Sequence, residues 1–172
     1  MENVMSDNIG MRAITFTRSA ELRWEGDVLH GSGTIGARTG AFTSAARFPT
    51  LRGEPPGTTT PEELLAASHA VCYGIGLRSV IGRSGGSASR VVVTATITAE
   101  KGPEGIRVRR SHLQAVVEGL EGVDASSLGE IGRTVERECT ISTAIRGSVE
   151  IRYDIAGLGP SGVHGGSRPH LL

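Results

Sequence analysis

Two cysteines, Cys72 and Cys139, are the residues of this chain best suited to chemistry. A thiolate can act as nucleophile, redox centre or metal ligand, whereas a buried protonated thiol packs as a small hydrophobe. The amino terminus, MENVMSDNIGMR, lacks the basic region and apolar stretch of a secretory signal, so a reducing, cytoplasmic setting is expected. In that setting, two cysteines far apart in sequence are neither a disulfide framework nor a CxxC redox loop. They are either inert or chemically paired. Chemistry at Cys72 would need a thiolate, which burial disfavours unless a cation or helix dipole compensates. Arg38, Arg47 and Arg52 supply candidate cations, and Glu62 and Glu63 could hold a guanidinium in a fixed orientation. His69 lies three residues before Cys72, close enough on a helix surface to tune it, although packing within the helix is the plainer role. Zinc held by Cys72, Cys139 and His69 lacks any CxxC or HxxxH spacing in its favour, so no metal or other cofactor is expected.

The elements that must position these side chains begin with Thr60-Pro61-Glu62-Glu63. Thr60 can cap with its hydroxyl, Pro61 suits the first helical position, and Glu63 completes a capping box that also complements the helix dipole. The spacing predicts a helix to about Gly82. Its apolar residues, among them Leu64, Leu65, Val71, Ile75, Leu77 and Val80, wrap nearly the whole circumference, as expected of a helix surrounded by protein with Cys72 deep in the core. Asp124 or Ser126 can cap a second helix to about Glu138, whose stripe of Leu128, Ile131 and Val135 continues to Cys139.

Strands should occupy the remainder. Met11 to Thr17 and Ala20 to Trp24 alternate imperfectly, and Gly26-Asp27 turns the chain toward Val28 to His30, a β-meander. From Thr39 to Thr60, Pro49, Pro55, Pro56, Gly53 and Gly57 predict a long irregular loop. Arg90 to Glu100 aligns Val91, Val93, Ala95, Ile97 and Ala99 on one face. Ile106 to Glu118 also alternates, without declaring which face is buried. Ser148 to Ile155 is a closing strand. These elements form one α+β domain over residues 11–155, built of mainly antiparallel sheets around a buried helix. Residues 1–10 read as a flexible N-terminus and residues 156–172, with His164 and His170, as a flexible Gly-rich tail. A helix apolar all round needs cover that one small sheet cannot give, so a second copy of the chain is expected to complete it.

Bulk properties exclude other classes. The charges balance at 18 positive and 18 negative and aromatic residues make up 3%, so no nucleic-acid partner is expected. Leu64 to Leu77, the longest mostly apolar segment, falls short of the roughly 20 residues a bilayer span needs, so no membrane partner is expected either. The cluster Arg107, Arg109 and Arg110 reads as a solvated strand face.

The run from Pro61 to Cys72, PEELLAASHAVC, resembles the signature of the OsmC/Ohr peroxidases, and of their OsmC branch most closely. Trp24-Glu25-Gly26-Asp27 with Gly31-Ser32-Gly33-Thr34 resembles the first hairpin of that branch, Arg47-Phe48 its arginine segment, and Glu138-Cys139-Thr140-Ile141-Ser142 its second cysteine segment. The resemblance spans about Leu22 to Ile155. It implies an intertwined homodimer that reduces organic hydroperoxides, and often hydrogen peroxide, and is reset by a dithiol, lipoyl-type in some relatives. By position it makes Cys72 the peroxidatic residue, Cys139 the resolving residue with which Cys72 forms a disulfide, Arg47 the activating arginine and Glu62 its carboxylate partner. Two features depart from the family pattern. Thr140 stands where members often have proline, and the loop from Arg47 to Pro61 is longer than usual, which leaves Arg38 and Arg52 as alternatives to Arg47. A redox sensor or ligand-binding module with the same thiol pair and little turnover is the competing reading.

Glu62 and Cys72 are ten positions apart, which corresponds to about 15 Å of helical rise and a face roughly 80° away. Either the helix breaks between them, or the arginine and glutamate that serve Cys72 come from a partner subunit. The second alternative is favoured, because a two-fold axis can bring the start of one helix beside the middle of the other.

Overall fold

The computed structural model describes residues 14–48 and 57–158. The expected flexible residues 1–10, the rest of the Gly-rich tail and Arg52 lie outside them. The chain divides into two compact units, Met1–Thr59 and Thr60–Leu172.

The first unit is a four-stranded sheet in the order β1-β2-β3-β4, from β1 (Ala20–Glu25), β2 (Ser32–Ala37), β3 (Thr43–Ala46) and β4 (Thr58–Thr59). β1, β2 and β3 pair antiparallel, whereas β4 joins β3 in parallel. Two expectations are corrected here. Ile14 to Thr17 forms no strand, and Val28 to His30 belongs to the turn. The Asp27 carboxylate accepts the amides of Leu29 and His30, both at 2.8 Å, so those amides are not free to join a ladder. The expected irregular loop likewise contains β3 and β4, because Thr43 to Ala46 are small residues that fit against β2.

The second unit holds the core. Helix α1 (Pro61–Arg83) starts as its capping residues dictate: the Thr60 hydroxyl accepts the Glu63 amide, Pro61 occupies the first turn, and Glu62 and Glu63 supply the acidic charge there. It is continuous across Glu62 to Cys72, which removes the alternative of a helix break. At 23 residues it is long and apolar enough to cross a membrane by length and composition, unlike the shorter apolar segment read from sequence. One face, His69, Tyr73, Leu77, Val80 and Ile81, is buried at i, i+4 and i+8 spacing against β5 and α2. The opposite face is bare, with Val71 61% and Ile75 66% exposed, so within this chain Cys72 is half-buried rather than deep in the core.

Strands β5 (Arg90–Gly102), β6 (Gly105–Glu118) and β7 (Glu150–Leu158) form the second sheet in that order. β5 and β6 are antiparallel, with a register shift at Thr98/Ala99 that leaves Arg109 as an extra residue. This bulge explains why the β6 alternation hid its inner face. Ser111, Leu113, Ala115 and Val117 share a side with Val108 and Ile106 only because the bulge inverts the parity between them. β7 runs parallel to β6, an exception within the mainly antiparallel pairing, because the chain crosses over through α2 (Leu128–Glu138) and α3 (Thr140–Ile145). It continues through Ala156, Gly157 and Leu158, which correct the expected start of the tail. Leu128, Ile131 and Val135 are buried as their spacing requires, and Gly132 lets α2 settle onto Tyr153 and Ile155 of β7.

Candidate active site

Cys72 sits near the middle of α1. Cys139 is the joint between α2 and α3: its amide donates to the Val135 carbonyl and ends one helix, while its sulfur accepts the Ser142 amide at 3.5 Å and begins the next. The sulfur atoms, distant in sequence, are 2.8 Å apart with the Cys139 thiol donating to Cys72, and both cysteines are unbridged. The two sulfurs are therefore within reach of each other.

The two thiols are not equivalent. Burial pushes the Cys72 pKa up, but the Cys139 thiol, the backbone amides of Ile141 and Thr140 and the Thr140 side chain outweigh it, and the net shift is downward. Burial and the hydrogen bond given to Cys72 both push Cys139 up. These opposite shifts favour ionisation of Cys72, the more exposed member, over Cys139. A thiolate at Cys72 would be a nucleophile with a second thiol beside it.

His69 is fully buried. Its Nδ1 lies 2.7 Å from the Ser111 hydroxyl on β6, and its Nε2 lies 2.9 Å from the Ser142 hydroxyl in α3. Burial holds its pKa below the ordinary imidazole value, against the upward pull of Glu136. The neutral ring therefore donates from one nitrogen and accepts at the other. With both nitrogens engaged by serines, it is not free to join the cysteines around a metal. Ser111, Ser142 and Thr140 were absent from the sequence-based candidates. The signal available was a threonine at 140 whose amide and hydroxyl a proline would lack; Ser111 gave none, because the alternation of β6 does not declare its inner face.

The other candidates are not assembled at Cys72 in the same way. Glu62 lies in the first turn of α1, about 15 Å along the helix from Cys72 by its continuous rise. It is half-buried, and its Oε2 is enclosed with no hydrogen-bond partner among the described residues. Arg47 belongs to the first unit, where it follows β3 with an exposed side chain and an amide bonded to the Thr59 carbonyl. Arg38 is also exposed and lies 3.8 Å from the Glu21 carboxylate.

Known proteins are similar to this chain in sequence and fold. The family model for OsmC-like protein matches residues 53–154. Peroxiredoxin OsmC of Escherichia coli (strain K12) is 26% identical over 142 residues, which cover 83% of this chain and 99% of that protein. Among solved structures, an organic hydroperoxide resistance protein from Elizabethkingia anophelis superposes with a TM-score of 0.70 at 21% identity, over 86% of this chain and 100% of that one. An organic hydroperoxide resistance protein OsmC from Legionella pneumophila gives 0.66 at 23% identity, over 84% and 99%. The structures share the mixed α+β fold, and the family model spans both cysteines and the helices that present them. This chain belongs to the OsmC-like protein family.

Proposed function

We propose that this protein is a cysteine-based peroxidase that reduces organic hydroperoxides, with hydrogen peroxide as a second candidate substrate. The observation that carries this reading is the 2.8 Å thiol pair, and the opposite pKa shifts, Cys72 down and Cys139 up, agree with it. The Cys72 thiolate attacks one oxygen of the O–O bond. That bond breaks, and the alkoxide leaves with a proton as alcohol, so that Cys72 becomes a sulfenic acid. Cys139 attacks the sulfenic sulfur, water leaves, and a Cys72–Cys139 disulfide remains. A dithiol then donates two electrons and two protons to restore both thiols and is itself oxidised to a disulfide. The names of the Escherichia coli relative, a peroxiredoxin, and of the hydroperoxide resistance proteins support this chemistry.

The assay is consumption of cumene hydroperoxide and of hydrogen peroxide by the reduced protein with dihydrolipoamide. In Cys139→Ser, Cys72 should still be oxidised once. Turnover should then stall, with sulfenic acid accumulating for dimedone to trap. Undiminished steady turnover in that variant would remove Cys139 from the cycle.

The working unit in this reading is a homodimer in which Arg47 and Glu62 of one subunit serve Cys72 of the other. Its support is the apolar surface exposed among the described residues, with Val71 and Ile75 on α1 and Leu22 and Phe42 in the first unit, together with the enclosed Glu62 oxygen that has no hydrogen-bond partner among them. Arg47→Ala should raise the Cys72 pKa by about one unit or more, read from thiolate absorbance near 240 nm. An unchanged titration would move the role to Arg38 or Arg52. Mixed dimers of Cys72→Ser and Arg47→Ala chains separate the geometries. A site shared between subunits regenerates one intact centre per hybrid, and a site within one chain regenerates none.

A further inference from the structure

His69, Ser111 and Ser142 are fully buried beside the thiol pair and take no part in the steps above. Buried polar groups are costly unless every partner is satisfied, and an apolar side chain could fill the space of the imidazole. The chain of contacts from Ser111 through His69 to Ser142 nevertheless joins β6, α1 and α3.

What this chain fixes is α3. A helix of six residues has little intrinsic stability, yet its first turn carries Cys139 and the Thr140 and Ile141 amides that favour the Cys72 thiolate. The Ser142 amide meets the Cys139 sulfur at 3.5 Å while its hydroxyl meets His69 Nε2 at 2.9 Å. His69 Nδ1 is anchored in turn to Ser111 in the middle strand of the sheet. His69 lies three positions before Cys72, so the stretch of α1 that carries one sulfur also grips the turn that carries the other. The geometry points to His69 as a positioning residue that acts through the Ser142 hydroxyl to keep Cys139 within bonding reach of Cys72. It rests on the peroxidase reading for its place in turnover, but the holding of the two thiols requires no peroxide.

The test uses the full chain in a glutathione redox buffer, where two protein thiols become one disulfide as one oxidised glutathione becomes two reduced. The equilibrium gives the effective molarity of Cys139 toward Cys72. Ser142→Ala and His69→Asn, whose amide reaches only the Ser111 side, should lower it about tenfold, the factor one buried hydrogen bond corresponds to. His69→Gln, whose amide takes the place of Nε2, should stay close to wild type, a rescue that mere filling of space would not produce. Equal effective molarities in wild type, Ser142→Ala and His69→Asn would overturn the inference, as would a Gln variant as impaired as Asn. Circular dichroism checks that each variant is folded, and Ser142→Ala, which loses a single hydroxyl, decides the matter if the histidine variants are not. If wild-type protein equilibrates with glutathione but consumes no cumene hydroperoxide, the peroxidase reading falls, and the glutathione comparison still decides the role of His69.

Discussion

Cys72→Ser should abolish peroxide consumption, with a loss on the order of 10⁴ or more, as when an enzyme's nucleophile is removed. The substitution barely changes size at a half-buried position, so the fold should persist and the loss should lie in the chemistry. The α3 amides and the Cys139 thiol that draw the Cys72 pKa down act on a group already close to ionising. A serine hydroxyl ionises so far above neutral pH that the same donors leave it protonated, and oxygen lacks the soft electron pair that attacks a peroxide bond. The measurement is steady-state loss of cumene hydroperoxide with excess dihydrolipoamide, alongside the pH dependence of the wild-type rate. Because the Cys72 pKa lies below the ordinary thiol value, that rate should rise with pH through the lowered pKa and level off above it. Turnover of Cys72→Ser near the wild-type rate would end the reading of Cys72 as the nucleophile.

The largest effect on stability should come from Gly132→Val. A Cβ at this position of α2 would overlap Ile155 Cδ1, lie 3.0 Å from Tyr153 Cε2 and reach within 3.1 Å of the Tyr73 hydroxyl. Two effects oppose each other. Replacing glycine within a helix gains a few tenths of a kcal/mol for valine and about 1 kcal/mol for alanine. Overpacking a closed core costs about 1–3 kcal/mol, and more where aromatic rings must move. For alanine the two nearly cancel, since the end of the Ile155 side chain can rotate away. For valine the steric cost wins, and a net loss of about 3 kcal/mol is expected, or roughly 6–12 °C in Tm for a domain of this size. The same displacement would carry Cys139, at the end of α2, away from Cys72. Disulfide yield after one equivalent of peroxide should therefore fall together with the urea midpoint. A valine variant as stable as wild type would show that α2 can move off β7 without penalty.

Sequence reveals those parts of this molecule in which local preference and tertiary packing agree. Thr60, Pro61 and Glu63 announce the start of α1 because capping is a short-range interaction, and the stripe Leu128, Ile131, Val135 and Cys139 follows from helical geometry alone. The parts that stayed hidden depend on partners distant in sequence. α3 is rich in Thr and Ile, which do not favour a short helix, and its start is fixed by the sulfur of Cys139. The inner face of β6 is masked by the extra residue at Arg109, and the parallel pairing of β7 becomes visible only once α2 and α3 are laid across the sheet. Cys72 and Cys139 could be named as candidates from sequence, but the downward shift of the Cys72 pKa depends on amides that α3 brings to it. His69 looked like a packing residue because Ser111 and Ser142, its two partners, lie far along the chain.

The line joining the two sulfurs has a stereochemical meaning on the proposed chemistry. Displacement at sulfur proceeds with the entering and leaving groups in line, so Cys139, already 2.8 Å from Cys72, defines the entering direction of the second step. The hydroxyl of the sulfenic acid can leave without reorientation only if it was installed on the far side of Cys72. Peroxide must then approach opposite Cys139, away from the start of α3, so that a single axis through the Cys72 sulfur serves oxidation and disulfide closure in succession.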